Sequence, residues 1–177
     1  MDIFVIELKT SDNIETSLLK QYKKKEFSDE SKCKDHCLCY LMADRILKNF
    51  YGLENAEVFL SDKKPYIKNS KKYLSISHSG EYAIIAFSDS KCGVDIEEMK
   101  NRDFVSISKR MGFSSATLEE FYFNWTKYEA EYKLAESCKS EYYFRYENYA
   151  ATCVSENQNE EFQIYFQTGN VFPNLAG

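Results

Sequence analysis

The hydrophobic pattern predicts an α+β protein of two similar halves, each a long helix packed on a small, mostly antiparallel sheet. Three observations predict it. Apolar residues recur at helical spacing in two separate stretches, near 35–50 and 118–137. Short strand-like segments cluster after each stretch. Residues 81–88 (EYAIIAFS) also echo residues 148–155 (NYAATCVS), as a pseudo-duplicated chain would, although similar strand composition alone produces the same echo. The expected division is 1–98 and 99–177, with a cleft at the junction, a common place for a ligand.

The elements follow in order. Residues 3–8 (IFVIEL) form a strand pattern, and 14–27 a weak helical one. In 35–50 the positions Leu38, Leu41, Met42, Ile46 and Phe50 share one helix face, and Gly52 is a stop signal. Residues 58–60 make a short strand, and Pro65 starts an extended Tyr66-Ile67 segment. Three strands follow at 73–77, 82–87 and 93–97, with Ser77-His78-Ser79 assigned to the turn after the first. A short helix is expected over 105–111. Thr117-x-x-Glu120 is a capping box that opens the second long helix. Strands at 142–146, 149–154 and 162–166 precede a turn-rich tail.

Composition narrows the function classes. With 44% hydrophobic and 29% charged residues, the 177-residue chain has the make-up of a soluble globular protein. No apolar run approaches the ~20 residues of a membrane span. The opening Met1-Asp2-Ile3-Phe4 enters a strand pattern directly, which points to the cytoplasm. A net charge of −5 argues against general nucleic-acid affinity. The lysines are nonetheless clustered at 23–25, 32 and 34, 63–64 and 71–72, either as solvated surface or as a local pocket for a polyanion. Six cysteines without an export signal are expected to stay reduced. Cys33, His36, Cys37 and Cys39 match no common zinc spacing.

Two segments carry chemistry. In the strand Gly93-Val94-Asp95-Ile96-Glu97, alternation puts Val94 and Ile96 on one face and Asp95 and Glu97 on the other. Paired carboxylates repel unless a proton or cation lies between them, and a hard ion such as Mg²⁺ suits them. The same residues also fit a solvated acidic strand end, since Glu98 follows. On the second long helix Glu129 and Lys133 are i and i+4 and share a face. They make either a surface ion pair or a third acidic ligand with a phosphate-binding lysine. His78, between Ser77 and Ser79, is either structural or a phosphate donor.

Three motifs thus stand in order: Lys64-Pro65 before Ser77-His78-Ser79, then Gly93-Val94-Asp95-Ile96-Glu97, then Trp125-Thr126-x-x-Glu129-Ala130-x-x-Lys133. Over about residues 60–135 the chain resembles the 4′-phosphopantetheinyl transferases, and more the larger monomeric type that activates peptide and polyketide synthetases than the short trimeric type. The resemblance implies two α+β halves related by a pseudo-two-fold. It implies transfer of the phosphopantetheine arm of coenzyme A to a serine of an apo acyl or peptidyl carrier protein, releasing 3′,5′-ADP. Asp95, Glu97 and Glu129 would hold Mg²⁺ (or Mn²⁺), Glu129 would also act as base, and Lys133 would contact phosphate. His78 and Ser77 would bind a coenzyme A phosphate, Lys64 would lie near the adenine nucleotide, and Lys24 would supply part of an N-terminal basic cluster. Met111-Gly112-Phe113, beside Lys109 and Arg110, is the expected carrier-docking surface.

The chain departs from the family pattern in several places: the segment after Arg110 (MGFSSATLEE) follows it only loosely, the chain is short for the larger type, and two single positions differ. Tyr128 stands where the family has a lysine before the helix glutamate, and Lys127, one residue earlier, is turned by about 100°. Cys39 stands where an arginine is usual, with Arg45 further along. A coenzyme A or carrier-binding module without transfer activity is therefore the alternative, and an unrelated Mg²⁺ phosphohydrolase a third.

Overall fold

A computed structural model describes residues 1–8, 30–61 and 64–167, with the side chains of 30–32 excepted. The expected helix over 14–27, Lys24 and the tail lie outside the described residues. Within them the protein is mixed α+β, with three helices and nine strands. No helix there is long and apolar enough to cross a membrane.

Strands β1 (Asp2–Glu7), β4 (Tyr73–Ser79), β5 (Tyr82–Ser88) and β9 (Gln163–Gln167) form one sheet in the order β4-β5-β1-β9. Only the β1–β9 pairing is parallel. Strands β6 (Cys92–Glu98), β7 (Ser140–Tyr146) and β8 (Tyr149–Ser155) form an antiparallel sheet, β6-β8-β7. Strands β2 (Glu57–Ser61) and β3 (Lys64–Lys68) make a separate hairpin. Strands from both sides of residue 98 share sheets, because β6 pairs with β8 and β9 with β1.

Period-two alternation explains the layers. Phe4 and Ile6 of β1, with Ala83, Ile85 and Phe87 of β5, face helix α1 (Glu30–Asn49) through Leu38, Leu41, Met42 and Ile46. Ile3, Val5, Ile84 and Ala86 face the other way and meet Val94, Ile96, Ala151 and Cys153 between the two larger sheets. Every residue of β5 and of β8 is buried, which is why 81–88 and 148–155 look alike: both contain a central strand covered on both faces. Helix α2 (Phe104–Met111) is N-capped by Asp103. Helix α3 (Leu118–Leu134) opens on the expected capping box, with Glu120 N–H donating to Thr117 Oγ1 at 3.1 Å. It ends at Leu134, earlier than the apolar pattern suggests, because Ala135 takes a left-handed conformation.

One local expectation is corrected. Ser77, His78 and Ser79 are not a turn; they are the last residues of β4, paired with Ile84, Ala83 and Tyr82. The turn is Gly80-Glu81, where the positive φ of Gly80 (55°) suits a tight hairpin. The serines at 75, 77 and 79 therefore share one face of β4.

Candidate functional site

That serine face meets β6. Ser75 Oγ accepts the Val94 N–H at 3.0 Å, and Ser77 Oγ donates to Asp95 Oδ1 at 2.7 Å. Ser79 Oγ donates to Glu97 Oε2 at 3.0 Å and accepts the Glu98 N–H at 3.1 Å. The alternation that makes β4 a strand thus makes it a polar seam between two sheets.

Asp95 and Glu97 leave β6 on the face opposite Val94 and Ile96, as the alternation predicts. That face is not solvated: α3 covers it. The helix comes close because residue 93 is glycine; a Cβ there would collide with the Ala130 carbonyl oxygen. Thr126 on α3 and Thr152 on β8 share a buried hydroxyl hydrogen bond of 2.7 Å beneath the site. Lys133, on the last turn of α3, reaches Asp95 Oδ1 at 2.8 Å and the Val94 carbonyl at 2.9 Å. Asp95 is 5% exposed, and its Oδ2 is buried without a hydrogen-bond partner. Glu129 is half-buried, and among the described residues no group pairs with it.

A cleft of about 1230 Å³ opens beside this cluster. From the expected site residues it takes Lys64, Ser77, His78, Glu129 and Lys133; Asp95 and Glu97 do not line it, although Asp95 bonds to Ser77 and Lys133, which do. Lys71, Lys72 and Lys91 also line it. Lys72 is held by Asp89 at 3.0 Å and Lys91 by Glu136 at 2.5 Å, whereas Lys64 and Lys71 make no ion pair among the described residues. The lysine clusters at 64 and 71–72 therefore converge on one cavity. Lys91, Tyr132 and His36, which no motif singles out, converge with them.

The two single-position departures resolve locally. Lys127 turns away from the cleft, pairing with Glu141 and standing 5.8 Å over the Phe123 ring. Cys39 lines the cleft but is buried, and burial drives its thiol pKa well up. Burial likewise pushes Cys92 up to about 12 and raises Cys153. These thiols stay protonated and are not nucleophiles at neutral pH. All six cysteines are free. Arg45 is not among the residues that line the cleft.

His78 is exposed at the end of β4, yet partial desolvation lowers its pKa; Asp35 opposes this and Lys133 adds to it. At neutral pH it is an uncharged imidazole with one N–H to donate. Glu97 is shifted the other way. Burial raises its pKa, the Asp95 charge raises it further, and Ser79, Arg102 and the Trp125 donor oppose.

A carboxyl whose pKa is higher folded than unfolded binds its proton more tightly when folded, so stability falls as pH rises from the ordinary glutamate value through the raised one. Glu97→Gln is therefore expected to melt at a higher temperature than the wild type at neutral pH and at the same temperature below about pH 4. Melting curves across pH check this, and parallel curves at every pH would contradict it.

The donor chemistry fits a hard divalent cation. The groups are carboxylate oxygens, one is buried without a partner, and the Glu97 pKa is raised by burial first and then by the Asp95 charge. Among the described residues, the ligand atoms that all lie within 4.8 Å of one another belong to Glu131, Cys138 and Glu141, not to Asp95, Glu97 and Glu129. Lys127 already pairs with Glu141 there, and the Cys138 thiol pKa is raised by burial and by both glutamates. In comparison with known proteins, no family model matches the chain and no curated protein sequence matches it significantly.

Proposed function

We propose that the protein is a Mg²⁺-dependent 4′-phosphopantetheinyl transferase, acting on coenzyme A and an apo acyl or peptidyl carrier protein. One observation carries the reading: Ser77 and Lys133, which line a lysine-rich cleft with Lys64, His78 and Glu129, both hydrogen-bond to the buried Asp95. These are residues of the three ordered motifs, brought together from four elements. The reading includes two similar halves, which the matching central roles of β5 and β8 support.

Asp95, Glu97 and Glu129 would hold the cation, which supplies charge neutralisation on the pyrophosphate. The residues of this chain do the rest. Lys64, Lys71 and His78 bind and orient the polyanion along the cleft. Glu129, unpaired and facing the cleft, takes the proton of the carrier serine, directly or through one water. The serine oxygen forms its bond to the phosphorus on the pantetheine side. The bond from that phosphorus to the bridging oxygen breaks, and the electron pair leaves on 3′,5′-ADP. The carrier docks over Met111 and Phe113, half-buried beside exposed Lys109 and Arg110.

Asp95→Ala and Glu129→Ala are each expected to lower labelling of an apo carrier by fluorescent coenzyme A by at least about a hundredfold. Undiminished labelling in both removes the assignment. The alternative, a coenzyme A or carrier-binding module without transfer, is favoured by Lys133 lying on Asp95 and by the unconverged carboxylates. Calorimetric binding of coenzyme A with no turnover on any apo carrier would establish it.

A further inference from the structure

The cleft has an aromatic wall that none of the three motifs explains. Tyr66 on β3 and Phe59 on β2 are direct cross-strand partners, and their rings stack at 5.8 Å and 26°. Such a pair helps to hold a hairpin. Yet both rings are left open to solvent, Tyr66 at 47% and Phe59 at 44%. Tyr66 lines the cleft, and so does Lys64, two residues back on the same strand face. Lys68, two residues ahead, faces Glu57 across the hairpin, whereas Lys64 faces Ser61.

A flat π-face beside an unpaired ammonium suits a ligand that is both planar and anionic. A purely aliphatic anion gains nothing from the ring, and a purely apolar ligand gains nothing from the lysine. Purine bases stack on tyrosine without regard to their hydrogen-bonding edges. We propose that Tyr66, backed by Phe59, is the stacking platform for the purine base of the cleft's nucleotide ligand, with Lys64 on the neighbouring phosphate. Phe59 stiffens the platform by stacking on the ring face away from the base. This rests on the reading of the cleft as a coenzyme A site, and it makes Tyr66 a determinant of affinity for the base rather than for the pyrophosphate.

Calorimetry with two probes, adenosine 3′,5′-bisphosphate and inorganic pyrophosphate, separates the claims. Tyr66→Ser is expected to weaken the bisphosphate about tenfold and to leave pyrophosphate unchanged. Tyr66→Phe, which keeps the ring, is expected to stay within about twofold of the wild type for both. Equal weakening of both probes, or no weakening of either, overturns the platform and leaves the cleft reading standing. A wild type that binds neither probe overturns the cleft reading and the platform with it. Saturation-transfer NMR of the bisphosphate on the wild-type protein tests the platform without a variant. Transfer strongest at the purine H2 and H8 protons is expected, and transfer strongest at the ribose would overturn it.

Discussion

Lys133→Met is expected to melt well below the wild type and to be rescued by Mn²⁺ far more than the wild type is. In the folded protein the Lys133 ammonium is the cation on Asp95, 2.8 Å from Oδ1, and the aspartate is 5% exposed. Removing it leaves a buried carboxylate with one hydroxyl on Oδ1, from Ser77, and nothing on Oδ2. Stranding a charge in this way costs about 3–5 kcal/mol when both partners are buried. The Lys133 side chain is 30% exposed, so about 2–3 kcal/mol is the reasonable expectation. A divalent ion on the same carboxylate would replace the lost charge. If the proposed ion binds there, the ammonium and the ion compete in the wild type, and Mn²⁺ affinity is expected to rise in the variant. Thermal melts against Mn²⁺ concentration, with electron paramagnetic resonance for bound Mn²⁺, read both effects. Identical affinities would mean that Lys133 does not occupy the ion's place, and that it is free to serve phosphate without first leaving Asp95.

The contact of Lys133 with Asp95 was not legible in the sequence, although its residues were. Alternation in Val94-Asp95-Ile96-Glu97 correctly put the carboxylates opposite the core, and i, i+4 spacing correctly put Glu129 and Lys133 on one helix face. Both are local geometry, and local geometry follows from the chain's own periodicity. What Lys133 touches depends on how far α3 stands from β6, a tertiary distance that no periodicity encodes. The seam of Ser75, Ser77 and Ser79 went unseen for a related reason. Three alternating serines followed by glycine carry turn chemistry as well as a strand period, and pairing with β5 decided for the strand. The cleft was half legible. The lysine clusters at 64 and 71–72 marked it, but Lys91 is a single residue in a loop and becomes part of it only through the sheet order.

Gly93→Ala should disturb the site without touching a charged group in it. Gly93 lies in β6 opposite Val154, and it is buried. An alanine methyl would strike the Ala130 carbonyl oxygen, and it would come within 2.9 Å of the Leu134 backbone nitrogen. Both atoms belong to helix backbone, which cannot rotate aside as a side chain can. The helix must move away from the sheet, and overpacking of this kind costs about 1–3 kcal/mol. Its consequence for chemistry is larger than its cost in stability. Ala130 and Leu134 flank Glu129 and Lys133 directly in sequence, so a shift at the contact is passed to both. A displacement of about 1 Å at reacting groups lowers a rate on the order of a hundredfold. Gly93→Ala is therefore expected to stay folded by circular dichroism, to lose most transfer to an apo carrier, and to bind pyrophosphate in the cleft nearly as the wild type does. The last expectation follows from where the proposed anion contacts lie: Lys64, Lys71 and His78 are carried by β3, β4 and the loop between them, whose main packing partners are strands and α1 rather than α3. Wild-type transfer in the alanine variant would show that the close approach of helix to strand serves packing alone.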